Sequence, residues 1–110
     1  MALKKHWYHI LLALAEGPAH GAEIRRRVRK HTRGSLELYP AMLYGSLEDL
    51  LDRGLLREVD EHSGRPSGEN DRYRYLDLTP DGRQTLATET EQYQELVRIA
   101  QALLAKGVSQ

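Results

Sequence analysis

The sequence predicts a mainly α (α+β) chain: three helices, a two-stranded β-hairpin and a long last helix. Three observations point there. Leu43, Leu47, Leu50 and Leu51 fall at i, i+4, i+7 and i+8, so four leucines share one face of a helix. The run EHSGRPSGEND separates two β-permissive stretches and holds almost nothing apolar, as the loop of a hairpin does. After Thr79-Pro80-Asp81-Gly82, nothing breaks a helical pattern before Ala105.

Taken in order, Leu3, Trp7, Ile10, Leu11 and Leu14 recur at helical spacing and predict helix 1, which Glu16-Gly17-Pro18 should end. His20-Gly21 opens the second helix with no clear side-chain cap. Ala22, Ile24, Val28 and His31 give it a narrow apolar side, while Arg25, Arg26, Arg27, Arg29 and Lys30 cover the rest. Thr32 to Ser35 is a polar break, and Leu36 and Leu38 are candidates to pair briefly with a sheet. In the third helix Pro40 suits the first turn, where a backbone N–H lacks a partner, and Gly54 suits a left-handed position just past the end. Its wet face carries Tyr44, Glu48, Asp49, Asp52 and Arg53.

Leu55 to Asp60 and Arg72 to Leu78 are the expected strands. Leu76 and Leu78 should face the core; Arg72 and Arg74 share their parity nearer the open end, with Tyr73 and Tyr75 on the other face. Thr79 as N-cap, Pro80 in the first position and Asp81 beside the helix dipole start the last helix. Along it Leu86, Tyr93, Leu96, Val97, Ala100, Leu103 and Leu104 follow a near-heptad spacing. Such a rod, about 40 Å long, exceeds what a small core can cover, so a second copy of the chain is expected against it. The expected boundaries are a domain over 1–79, whose helix 1 also meets the partner copy, a dimerisation helix over 80–106 and a frayed tail over 107–110.

Composition narrows the function classes. With 110 residues the chain is long enough for one domain, and 40% hydrophobic content is lean, as when apolar surface is shared between subunits. No cysteine is present, which excludes disulfides and thiolate metal sites. There is no signal-type apolar run, and none approaches the ~18 residues of a membrane span, so a cytoplasmic setting without a membrane partner is expected. Net charge is zero, against a protein that coats nucleic acid through bulk charge, yet His20 to Arg33 holds six Arg/Lys and one Glu.

Three helices followed by a two-stranded wing is the winged helix-turn-helix layout, with helices 2 and 3 as the helix-turn-helix pair. Here the residues resemble a known family, the PadR-like transcriptional regulators. Ile10-Leu11-Leu12-Ala13-Leu14 with Gly17-Pro18 is similar to its first helix and exit turn. His20-Gly21-Ala22-Glu23-Ile24 resembles the start of its second helix, with Ala22 where an aromatic is common. Tyr39-Pro40-Ala41-Met42-Leu43-Tyr44 through Leu47, Leu50, Gly54 and Leu55 resembles its recognition block. Arg72 to Tyr75, then Leu78-Thr79-Pro80-Asp81-Gly82, resembles its wing strand and last-helix start, with Leu76 where a second Tyr is frequent. The match spans residues 8 to 83 well and the last helix only in length and pattern. The resemblance implies a prokaryotic homodimeric repressor on a palindromic operator, acting at the nucleoid, sometimes with a small-molecule inducer.

A helix in the major groove reads base edges from its N-terminal turns. That makes Tyr39, Pro40, Ala41 and Tyr44 the expected contacts, with Gly45 beside them. The alternative is that both tyrosines cap the domain's own core and that Gly45 and Ser46 are small for helix packing. Arg25, Arg26, Arg29 and Lys30 are expected at phosphates; the alternative is a solvated helix face, and the basic residues cannot all point one way. Arg65, beside Gly64 and Pro66 at the wing tip, suits a narrow minor groove or is a plain loop residue. Arg72 and Arg74, on a strand, are further phosphate candidates.

Trp7, Tyr8 and Tyr93 would line a pocket for a flat aromatic effector if two copies close on the first and last helices; otherwise they pack the dimer core. The dimer interface is expected to hold Leu3, Tyr93, Leu96, Val97, Ala100, Leu103 and Leu104. His6-x-x-His9 has metal-ligand spacing but nothing placed to complete a site, and Ser35, Ser46 and His62 form no triad. No metal, cofactor or catalysis is therefore expected. The partners expected are double-stranded DNA, a second copy of the chain and a small aromatic ligand. The rival reading is a winged-helix module that binds a protein through the wing and helix 3, for which the basic stripe has little use.

Overall fold

The computed structural model describes residues 3–59 and 74–107. Over them the order is α1 (Lys5–Leu14), α2 (Gly21–His31), α3 (Pro40–Asp52), β1 (Leu56–Val59), β2 (Tyr75–Leu78) and α4 (Pro80–Gly107). Arg65, Arg72 and Tyr73 lie outside the described residues, and so do the expected ends of both strands. The order matches the winged helix-turn-helix prediction element for element.

α1 buries Trp7, Ile10, Leu11, Ala13 and Leu14. It ends a turn before the expected Gly17-Pro18 stop, and Gly17 takes φ +136°, a value closed to side chains with a Cβ. Leu3 precedes the helix and packs partly buried on the core. The reversal brings Ala19 beside β2, where the two exchange backbone bonds: Ala19 N–H to the Leu76 carbonyl at 3.0 Å and Leu76 N–H to the Ala19 carbonyl at 2.9 Å. Ala19, and not Leu36 or Leu38, is thus the segment that extends the sheet. Leu38 instead points into the core at 1% exposure. An alternating apolar pair reads as a strand, but here tight helix packing claims it.

α2 does have a side-chain cap: Nδ1 of His20 accepts the Glu23 N–H at 3.3 Å. Histidine lies outside the usual set of capping residues, so no capping signal is readable at His20. The buried side of α2 is narrower than expected, Ile24 and Val28 with Gly21, and Ala22 and His31 are exposed.

α3 begins on Pro40 and buries Leu43, Ser46, Leu47 and Leu50, with Leu51 half-buried. Each fully buried leucine contributes roughly 2 kcal/mol from apolar surface removed from water. Gly54, at φ +76°, ends the helix: its N–H reaches the Leu51 carbonyl and the Leu55 N–H reaches that of Leu50, both at 3.0 Å. These crossed bonds satisfy carbonyls that a helix end leaves open.

β1 and β2 pair antiparallel with Leu56 opposite Leu78 and Val59 opposite Tyr75. Leu76 and Leu78 face the core as predicted. Thr79 then joins wing to rod. Its hydroxyl accepts the Gly82 N–H at 2.9 Å, the expected cap, and donates to the Gly54 carbonyl at 2.6 Å. Its N–H donates to the Leu55 carbonyl at 3.1 Å. α4 runs 28 residues but buries only Gly82 and Leu86, and everything from Glu91 to Gly107 is exposed.

Candidate nucleic-acid interface

The start of α3 is apolar, aromatic and open. Tyr39, its N-cap, is 65% exposed, with Met42 and Tyr44 about two-fifths exposed beside it and Pro40 and Ala41 on the surface. Leu43 and Leu47 anchor the underside in the core. Tyr44 also lies against the first turn of α2, where a Cβ on Gly21 would stand 2.7 Å from the phenol oxygen. Large exposed side chains at a helix start, held from beneath by leucines, make a surface shaped for contact with a partner.

The arginines of α2 are arranged by two carboxylates. Glu37, two residues before Tyr39, accepts from Arg25 Nη2 at 2.9 Å and from Arg29 Nε at 3.1 Å. These hydrogen bonds, Arg29 first and Arg25 second, hold the Glu37 carboxyl down at about 2. Glu23 pairs with Arg26 and with Arg27, and the bond to Arg26 is the main reason that its carboxyl sits below the usual range. Arg27 is structural: its Nη1 donates to the Ala13 and Gly17 carbonyls at 3.0 and 2.8 Å, closing the exit of α1. Lys30 and Arg33 are exposed, Arg33 at φ +53° in the turn. Four arginines of the stripe thus share two carboxylates, so pairing leaves a positive surplus on this face.

Arg74 bridges the wing and α3, donating to Glu58 of β1 at 3.1 Å and to Glu48 of α3 at 2.9 Å. Sequence spacing could not foresee this, because the partners are 16 and 26 residues away. Ser46 was missed as well: at 4% exposure its Oγ is bonded to His6 Nε2 at 2.9 Å, so α1 holds the middle of α3 by a buried polar contact. Burial, then the charge of Lys4, lowers the His6 pKa.

Of the aromatic trio, Tyr8 and Tyr93 come together edge to face with centroids 4.8 Å apart, and the Tyr8 hydroxyl meets Thr90 Oγ1 at 2.8 Å. They border a groove of about 330 Å³ between α1 and α4 with Val97 and Arg98. Trp7 departs from the expectation. It is 2% exposed, a core residue on the other side of α1, with Lys4 and Arg53 over its ring at 5.2 and 4.9 Å. The leucine spacing that defines the inner face of α1 includes Trp7 and excludes Tyr8, and that periodicity decides the matter.

The family model of the transcriptional regulator PadR-like family matches residues 10–88. The chain belongs to that family. Among solved structures, this PadR-like chain is similar to a PadR-like transcription factor from Bacteroides fragilis, at 26% identity and TM-score 0.66, over 89% of this chain and 88% of that one. It is similar to a transcriptional regulator from Clostridium thermocellum, at 22% identity and TM-score 0.67, over 86% and 87%. It also resembles Bacillus subtilis PadR in complex with operator DNA, at 21% identity and TM-score 0.65, over 79% of this chain and 47% of that one. No curated protein matches the chain significantly in sequence. Among the described residues no helix is long and apolar enough to cross a membrane, and no cluster of three or more His, Cys, Asp or Glu is placed to hold a metal.

Proposed function

We propose that this PadR-like regulator is a cytoplasmic, homodimeric repressor that reads a palindromic operator with the N-terminal turns of α3. The observation that carries the reading is the exposed set Tyr39, Met42 and Tyr44 on a helix start backed by buried leucines. Tyr39, Pro40, Ala41 and Tyr44 enter the major groove; Arg25, Arg26, Arg29 and Lys30 meet phosphates on one side and Arg74, with Arg65 and Arg72 of the wing, on the other. For Arg25, Arg26, Arg29 and Arg74 this means exchanging a carboxylate for a phosphate, so recognition is an exchange of ion pairs and is steeply salt-dependent.

The dimer forms along α4. Tyr93, Leu96, Val97, Leu103 and Leu104 are all more than a third exposed on one helix, together with Ile99. With Ala100 they form a stripe that nothing among the described residues covers, and Leu3, just before α1, extends it. A homodimer sets two α3 helices about 34 Å apart, one turn of the duplex. The groove beside Tyr8 and Tyr93 is a place for a flat aromatic effector near that interface. Selection of bound DNA from a random pool tests the function: an inverted repeat is the expected product. Recovery of no motif, with shallow salt dependence on heparin, favours a protein-binding module instead.

A further inference from the structure

The exposed residues in the first two turns of α3 are Pro40, Ala41, Met42, Tyr44 and Gly45. None is Arg, Lys, Asn or Gln, the side chains whose paired hydrogen bonds single out guanine or adenine in the major groove. Tyr44 brings one hydroxyl, and Glu48, one turn on from Tyr44, is held by Arg74 at 2.9 Å. What this surface offers instead is apolar. Met42 is 42% exposed, with Ala41 beside it and Gly45 one turn on at i+3.

Gly45 has no reason inside the chain. It lies within α3, and a Cβ built on it meets nothing within 4 Å among the described residues. No turn and no close packing contact asks for glycine there, yet glycine inside a helix is less stable than alanine. Bare backbone beside an exposed thioether suits a partner that comes nearer than a side chain allows and carries a compact apolar group. On the base edges of the major groove that group is the 5-methyl of thymine.

We propose that Met42 is a specificity-determining residue: with the Ala41 methyl it packs on thymine 5-methyl groups, while Gly45 lets α3 sit deep in the groove. Methionine is unbranched and polarizable, so it adapts to neighbouring methyl groups without a fixed hydrogen-bond geometry. The inference rests on the DNA-binding function proposed above and adds what is read there: A·T pairs, recognised through the methyl group.

The probe is a duplex recovered by selection from a random pool, compared with the same duplex made with deoxyuridine for every thymidine. That exchange removes the methyl groups and keeps the base pairing. One methyl lost from an apolar contact is worth about fourfold. With about two such contacts per site, the full chain should bind the uracil form at least about tenfold more weakly. In Met42→Ala, a truncation at the surface, affinity for the thymine form should fall and the ratio between the two forms should shrink. Equal binding of both forms by the wild type, or an undiminished ratio in Met42→Ala, overturns the proposal. Gly45→Ala should raise the melting temperature by about 4 °C and weaken binding of the thymine form about fivefold, a similar energy; binding that is not weakened overturns the close approach at Gly45. Recovery of no motif from the pool overturns the DNA-binding function as well, whereas a motif bound equally in both forms overturns the methyl reading alone.

Discussion

The ring of Tyr44 on α3 rests against the backbone of Gly21 at the start of α2, so close that a Cβ on Gly21 would meet its ring carbons at 3.0 Å. Helices α2 and α3 touch here without a side chain from α2. Gly21→Ala should push the exposed phenol outward and leave the core alone. Helix propensity offsets part of the crowding, so a stability change of about 1 kcal/mol or less is expected. DNA affinity should fall about fivefold, a similar energy placed on the reading surface. Thermal melting and DNA titration on the same variant separate the two.

In the proposed complex Glu37 competes with DNA for Arg25 and Arg29, which it holds in the free protein. Glu37→Gln should raise affinity for non-operator duplex and steepen the dependence of log affinity on log salt by up to about 2, as two cations become free for phosphates. The same pair has a pH signature. Since the folded carboxyl is held down at about 2 against an ordinary value of 4.5, the pairing supports the fold above pH 4.5 and is lost as pH falls towards 2. Acid titration of wild type and Glu37→Gln should therefore show their stabilities converging across that window.

Gly82 has no room for a side chain: a Cβ there would overlap the Leu55 carbonyl, which also accepts from Thr79. Because the obstacle is backbone, it cannot swing aside. Gly82→Ala is expected to cost about 2–3 kcal/mol, and Thr79→Ala about 1 kcal/mol through loss of the cap. Chemical denaturation measures both.

Leu103→Glu, on a residue 62% exposed in one chain, should leave the fold of residues 3–86 intact while turning the dimer into monomer. Sedimentation should show the change of mass, and operator affinity should drop by at least about a hundredfold, since the second half-site no longer binds in the same event. A protein that sediments as a monomer before mutation contradicts the dimer.

The elements were legible because each follows from a local signal: the leucine spacing of α3, the Pro40 and Gly54 bounds, and the Thr79 cap all appear where periodicity and capping chemistry put them. Contacts between elements were not legible. Trp7 and Tyr8 are neighbours in sequence, and only the rotation of α1 sends one inward and one towards Tyr93. The clamps of Glu37 on Arg25 and Arg29, and of Arg74 on Glu48, depend on how the chain turns between elements, which composition does not encode. Ser46 was weighed for its small size and as a member of a triad, and not as a partner of His6, because a hydroxyl on a leucine face gains that role solely from a histidine 40 residues away.

Thr79 grips the carbonyls of both Gly54 and Leu55, the two residues that close α3. α4 and the end of α3 are thereby tied at one joint, and in the proposed dimer each chain would act as one leg of a pair of callipers. In a dimer hinged along the rods, a few degrees of scissoring there travel to the tips as ångströms, enough to bring them into or out of step with the duplex. Under the proposed function, control would need no reshaping of α3, only a change in how far apart the two copies are held.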